Sequence, residues 1–250
     1  MLRITPRRWT SQPQFATGID WSNPITRGLT SAILPGIRRF DAVTGLQLAS
    51  SSGTNTPAAS VNGVVLQATA SQSSIYATAS PSQLTTSGSI LWAGDLYASP
   101  SNDGCLGGIT ANNTNAAPYS TLELKRNNTG SGYTNEVYLA HSVGGSTAVV
   151  LGANGGAPVG SGYCFIGIAT SGSQILYVGK VGGASAVTST AVAGSLTSSA
   201  TSRLEVGDSL NARNPQSGCA VMMTWNRALS ASEAASLSAN PWQIFSPALC

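Results

Sequence analysis

A chain of 250 residues with 42% hydrophobic side chains can bury a sizeable core, which excludes disorder of the low-hydrophobicity, high-charge kind. Charged residues make up only 8%, against about 25% in an average soluble domain, and the net charge is +3. That balance argues against a free cytosolic enzyme kept soluble by surface charge; a surface of Ser, Thr, Asn and Gly suits a secreted protein or one held in an assembly.

In chain order, residues 1–40 read as an extended arm. Pro6, Pro13, Pro24 and Pro35 punctuate it, and Trp9, Phe15 and Trp21 are candidate anchors. Arg3, Arg7, Arg8, Arg27, Arg38 and Arg39 make it basic, as a solvated arm or as one that touches nucleic acid or an acidic partner surface. A short helix is expected over 26–34, ended by Pro35-Gly36. The opening MLRITPRRWTSQPQF lacks a continuous apolar run, so no secretory leader is expected, and no stretch reaches the ~18 apolar residues of a membrane span. The expected location is therefore the cytoplasm in which the chain is made.

Beyond residue 40, GVVLQAT, SIYATAS, SILWAGDLY, STLELKR, EVYLAHS, TAVVLGA, YCFIGIAT, SQILYVGK, RLEVGD and CAVMMTW read as strands. Each is rich in β-branched or aromatic residues and bounded by Gly, Ser or Asn. SSSGTNTPAAS, TANNTNAAP and GANGGAPVGSG read as links. No long helical periodicity separates the strands, so a sandwich or jelly roll is expected rather than a βαβ fold. One helix is specified near the end: Ser230 and Glu233 form a capping box, Leu229 and Ala234 occupy the staple positions, and Asn240-Pro241 ends it. The organisation expected is an arm over 1–40, a sandwich with its helix over 41–238, and a tail over 239–250 carrying Trp242 and Phe245.

Few residues are suited to chemistry. Cys105, Cys164, Cys219 and Cys250 are widely spaced and His141 is the lone histidine, so zinc is not expected and free thiols are. A retaining glycosidase needs two carboxylates about 5–5.5 Å apart. Within a strand that means acids at i and i+2, yet Glu123 is followed there by Lys125, Glu136 by Tyr138 and Glu205 by Gly207. No nucleophile elbow accompanies His141, and GANGG and KVGGAS lack the context of a phosphate cradle. No enzyme activity is expected, and no motif calls for a cofactor.

The segment WNRALSASE following the strand CAVMMTW resembles the end of concanavalin A-like or laminin-G-like jelly-roll domains, where a last strand runs into N-R-A-L-S-x-x-E and a short helix. SQILYVGKVG and RLEVGDSLNARNPQSGCAVMMTW resemble that family's closing strands, so the motifs span about residues 173–237. Ala234 replaces the usual branched aliphatic. At the ends, RRWTSQPQFATGIDWSNPITRGL and NPWQIFSP resemble jelly-roll proteins of tailed bacteriophages.

The resemblance implies an all-β, concanavalin A-like (LamG-like) jelly-roll sandwich with an extended N-terminal arm and a short C-terminal helix. It further implies a virion component made in a host bacterial cytoplasm, most simply a head decoration or cement protein on the major capsid protein. Arg7, Arg8, Trp9, Phe15, Trp21, Trp242 and Phe245 would then be partner contacts, with Trp242 and Phe245 seated either on the sandwich or on a neighbouring subunit. The alternative is a tail- or neck-associated carbohydrate-binding module reading host glycans through Tyr97, Tyr119 and Tyr133. Laminin-G-like domains also bind calcium, for which Asn102, Asp103, Asp208 and Asn211 are conceivable ligands, although the same residue types serve turns. A homo-oligomer is compatible with these readings; membrane and nucleic-acid partners are not expected.

Overall fold

The computed structural model describes residues 9–13, 17–50, 55–68, 74–77, 86–98, 104–110, 120–126, 136–143, 146–151, 157–192, 196, 203–207 and 216–247. They form an all-β sandwich with one C-terminal helix, as the sequence implies. One sheet has the order β11(Ser146–Leu151), β10(Val137–Val143), β9(Ser120–Arg126), β8(Gly104–Thr110), β15(Arg203–Gly207), β6(Ser74–Ala77) and β3(Ala49–Ser50). The other runs β14(Ser185–Ala191), β13(Ser173–Lys180), β12(Gly160–Ala169), β7(Gly88–Leu96), β16(Ser217–Trp225), β5(Gly63–Ala68) and β4(Asn55–Ser60). A short strand, β2(Leu29–Ile33), also pairs with β16, and β1(Thr17–Ile19) pairs with β17(Phe245–Pro247) in a separate ribbon.

The central strands of the second sheet are buried on both faces, which is why they read as almost continuous apolar runs. Ile90, Trp92, Phe165 and Met222 face the first sheet and join Leu122, Leu124, Leu139 and Val206 in the inter-sheet core. Trp92 and Phe165 stack there at 5.5 Å between ring centroids. The alternate residues Leu91, Ala93, Cys164, Ile166, Val221, Met223 and Trp225 belong to a second core on the opposite face. That core is closed by Ile19, Ile25, Leu29 and Leu34 from the N-terminal region, and by Leu229, Ala234, Leu237, Trp242, Ile244 and Phe245 from the C-terminal one.

Three expectations are corrected by this third layer. The arm assigned to 1–40 is, from Thr17 onward, part of the body, with Ala32 and Ile33 fully buried. The helix expected over 26–34 is instead a 3-10 turn, Pro24–Thr26, followed by β2. Pairing with β16 settles the matter: Met222 to Trp225 present an edge that β5 leaves open, and Leu29–Ile33 fills it. Likewise the tail assigned to 239–250 is body through Pro247, running through the 3-10 turn Pro241–Ile244 into β17. The link read in SSSGTNTPAAS contains β4.

The helix α1(Ala231–Ala239) carries the expected capping box: Glu233 N–H donates to Ser230 Oγ at 3.2 Å, and Ser230 N–H to Glu233 Oε2 at 2.8 Å. Arg227 grips the same carboxylate at 2.6 and 2.8 Å. Those hydrogen bonds hold the Glu233 carboxyl down at about 2, below the ordinary range. Replacing Ser230 by alanine is expected to cost about 1 kcal/mol, read as a lower urea midpoint.

Candidate functional site

Two features of the third layer stand out, a turn and a cleft. The turn follows β1. Asp20 and Asn23 are buried, while Trp21 between them is 61% exposed. Asp20 N–H donates to Ile244 O at 2.8 Å, and Asp20 Oδ1 accepts from Ser22 N–H at 3.1 Å and from Ser22 Oγ at 2.5 Å. Asn23 Nδ2 donates to Gln243 O at 3.2 Å, and its Oδ1 caps the following turn by accepting from Ile25 N–H. Trp225 Nε1 closes on Ile25 O at 2.8 Å. A large aromatic side chain is thus held out from a backbone that is fixed on both sides.

The cleft begins with a defect in the second sheet. The register of β16 slips by one residue between Cys219 and Val221, leaving Ala220 as the extra residue of a β-bulge. Here β5 stops pairing and β2 has not yet begun. The Gln12 side chain fills the gap like a peptide unit. Its Nε2 donates to Val64 O at 2.7 Å and to Ala220 O at 3.1 Å, while Val64 N–H donates to its Oε1 at 2.5 Å. Gly63 makes room: at φ +111°, a Cβ there would lie 2.1 Å from Gln12 Oε1.

With Gln12 seated, a cleft of about 230 Å³ opens between the N-terminal segment and the β4–β5 turn. Trp242 and Val181 wall it, Thr10 and Ser11 bring hydroxyls, and Val61 and Asn62 form the opposite rim. Asn62 Nδ2 is buried and has no hydrogen-bond partner. Gly162, at φ +78°, sits against this rim, where a Cβ would be 3.4 Å from Asn62 Nδ2, and its N–H is held by Asp95 Oδ1 at 3.0 Å.

The other expected residues fall as follows. Trp242 and Phe245 are buried, so of the two seats foreseen for them they take the one on the sandwich. Trp9 is half-buried against the second core, and Asn240 Nδ2 donates to its carbonyl at 2.9 Å. Tyr97 is half-buried and packs across Gly218, where a Cβ would meet its hydroxyl at 2.2 Å. Burial raises its pKa despite a hydrogen bond with Gln67. Arg7, Arg8, Phe15, Tyr119, Tyr133, Asn102, Asp103, Asp208, Asn211 and Cys250 lie outside the described residues. Cys105, Cys164 and Cys219 are buried free thiols; burial pushes Cys164 up to about 12.

One juxtaposition was invisible along the chain. Glu205 and Glu123 both stand opposite Gly108, from the strands on either side of it. Lys125 lies 2.9 Å from Glu123, and Arg203 lies 3.1 Å from Glu205 and over the Tyr76 ring. Burial works against the Lys125 charge, but the Glu123 carboxylate outweighs it and holds the ammonium protonated. Both acids are therefore committed to ion pairs. His141 is buried between the sheets with its Nδ1 against the Gln174 amide, far from the terminal layer in the fold's order of elements. Among the described residues no group of three His, Cys, Asp or Glu is placed to hold a metal, and no helix is long and apolar enough to cross a membrane.

No protein-family model and no curated protein matches the chain by sequence. Solved structures do match by fold. The receptor-binding domain of botulinum neurotoxin type G aligns with a TM-score of 0.57 at 12% identity, over 84% of this chain and 51% of that one. The binding domain of botulinum neurotoxin DC in complex with SialylT gives 0.59 at 10% identity, over 86% and 52%. The binding domain of Paraclostridial Mosquitocidal Protein 1 gives 0.60 at 10% identity, again over 86% and 52%. The chain thus spans about half the length of these structures, and at such identities the likeness is one of fold.

Proposed function

We propose that this chain is a non-enzymatic binding module, and specifically a structural component of a tailed-phage particle that docks on the major capsid protein as a head decoration protein. The observation that carries the docking role is Trp21, 61% exposed on a turn whose flanking residues are buried and hydrogen-bonded. Tryptophan is over-represented among the residues that dominate protein interfaces, and a fixed backbone lowers the entropy lost on binding. The scarcity of charge supports the same reading, because interface cores are depleted of charged residues. The resemblance of RRWTSQPQF and NPWQIFSP to phage jelly-roll proteins supplies the particle.

The test is rebinding of purified protein to particles that lack it. Replacing Trp21 by alanine is expected to weaken rebinding about 30-fold or more while changing folding stability by less than about 0.5 kcal/mol. Equal rebinding by the variant would remove Trp21 from the interface, and no rebinding by the unaltered chain would remove the particle.

A second reading is a receptor-binding module for host-surface glycans. It draws support from the fold shared with toxin binding domains, of which one is in complex with SialylT and another with rat synaptotagmin II. Under this reading, immunogold label would sit at the tail of the particle instead of over the head.

A further inference from the structure

We infer that two copies of this chain associate side by side, the edge strand β14 of one pairing antiparallel with β14 of the other. The two large sheets end differently on the two sides of the sandwich. On one side the second sheet ends at β4, where Pro57 lacks a donor, and the first at β3, which is two residues long. On the other side the sheets end at β14 and β11, which lie close together. Neither of these strands contains a proline or a charged residue, and neither is bulged against its neighbour, β13 or β10. Short strands, prolines, charges and bulges are the devices that keep sheet edges from pairing. The first side uses them and the second does not. Among the described residues no strand covers the outer edge of β14. Ala186, Val187 and Ser189 to Ala191 are exposed there, Val187 at 57%.

The ladder fixes which backbone groups are on offer. Val192 N–H donates to Gly172 O at 3.1 Å, in step with the pairing of Ala191 and Ser173 just before it. Antiparallel residues alternate, so Thr190, Thr188 and Ala186 turn their N–H and C=O groups to β13. Ser185, Val187, Ser189 and Ala191 turn theirs outward. With Thr188 on a two-fold axis, Val187 faces Ser189 of the second copy and Ser185 faces Ala191 of the second copy. Every outward residue then meets an outward residue, for about eight hydrogen bonds. The side chains brought together are small and uncharged, so no like charges meet. The occupant follows from there being two edges. A single peptide strand would cover one and leave the other open, whereas a second copy brings an edge of each sheet, related by the same axis. A pair of seven-residue strands is a small contact, so the dimer is weak, with a Kd of about 10 μM.

The experiment is sedimentation velocity of the full chain over a range of concentrations, joined to amide hydrogen exchange. A monomer–dimer equilibrium is expected. The Val187 and Ser189 amides should gain protection as the dimer fills, while those of Ala186, Thr188 and Thr190 are protected in the monomer already. Thr188→Lys and Thr188→Glu each set like charges face to face across the axis and are expected to weaken the dimer about five-fold. An equimolar mixture of the two is expected to restore it, which misfolded variants would not do. Ser189→Pro removes an outward donor without touching the ladder to β13, and is expected to weaken the dimer about ten-fold or more. Trp21→Ala is expected to leave it unchanged, which separates this surface from the docking turn. The inference is overturned if the chain stays monomeric throughout, if a dimer forms with the Val187 and Ser189 amides unprotected, or if the mixed charge variants fail to pair. Protection of those amides by particles alone would give the edge to another protein and overturn it as well.

Discussion

A Gln12→Ala chain is expected to unfold at a distinctly lower urea concentration, with a loss of about 2–4 kcal/mol. The loss arises from the groups left behind. Without the carboxamide, the Val64 N–H and the Ala220 carbonyl lose their partners in a place that the rest of the sheet cannot supply. A bulge normally leaves a backbone group unpaired, and here a side chain 208 residues away in sequence satisfies it. Gln12→Glu is the sharper variant. It keeps the shape and one acceptor oxygen, but it replaces the donor to Val64 O and Ala220 O with a negative charge facing two carbonyls. It should be at least as unstable as the alanine variant at neutral pH. Gly63→Ala should give the same phenotype from the other side, since its Cβ claims the space of Gln12 Oε1. Hydrogen exchange at the Val64 amide would report the local loss. A Gln12→Glu chain as stable as the parent would show that the carboxamide is not acting as a peptide surrogate.

Acidification below neutral pH is expected to destabilise the protein through His141. The ring is fully buried, its Nε2 has no hydrogen-bond partner, and burial pushes its pKa below the ordinary 6.5. With the folded-state value below the unfolded one, the unfolded chain takes up the proton first as pH falls past about 6.5. Stability then drops by up to about 1.4 kcal/mol per pH unit until the folded-state value is reached. Two carboxylates act in the same experiment and with opposite signs. Glu136 is buried with both oxygens unpartnered and its pKa is raised by burial, so its contribution is present below 4.5 and is lost as pH rises. Glu233, held at about 2, contributes above 4.5 and loses that contribution as pH falls toward 2. Urea midpoints measured from pH 7.5 down to 5 should therefore fall in the parent and stay level or rise in His141→Gln. A slope that survives the substitution would assign the acid sensitivity to another group.

Legibility in the sequence divided along burial. The runs SILWAGDLY, YCFIGIAT and CAVMMTW became β7, β12 and β16, because strands apolar on both faces leave a continuous signal. The capping box at Ser230 and Glu233 is local and was equally legible. Missed were β4 and β14, written NTPAAS and SAVTSTA, whose side chains are mostly exposed or half-buried at the two edges of the sheet. Also missed was β8, GCLGGIT, where a Cβ on Gly107 would clash with the Met222 side chain of the facing sheet and one on Gly108 with the backbone of β9. The N-terminal region was read as an arm for a different reason. Prolines and arginines dominate its composition, while the residues that matter, Ile19, Ile25, Leu29 and Ile33, gain meaning only once a second apolar face needs covering. The site was the least legible part. Trp21 could be named from sequence but not its exposure, and nothing along the chain tells that Gln12, Gly63, Asn62 and Gly162 meet.

The ribbon of β1 and β17 has a bearing on how the protein is made. Thr17 pairs with Pro247, so the second core is closed only by residues from opposite ends of the chain. During synthesis, β7, β12 and then β16 emerge with one apolar face able to pack on the first sheet and the other without its C-terminal cover. Leu91, Ile166 and Met223 belong to a core that lacks its C-terminal cover, Leu229 to Phe245, until the residues up to 247 have been translated. A chain truncated before α1 should therefore be a client for chaperones, and is expected to aggregate more than the 250-residue chain when the two are expressed side by side.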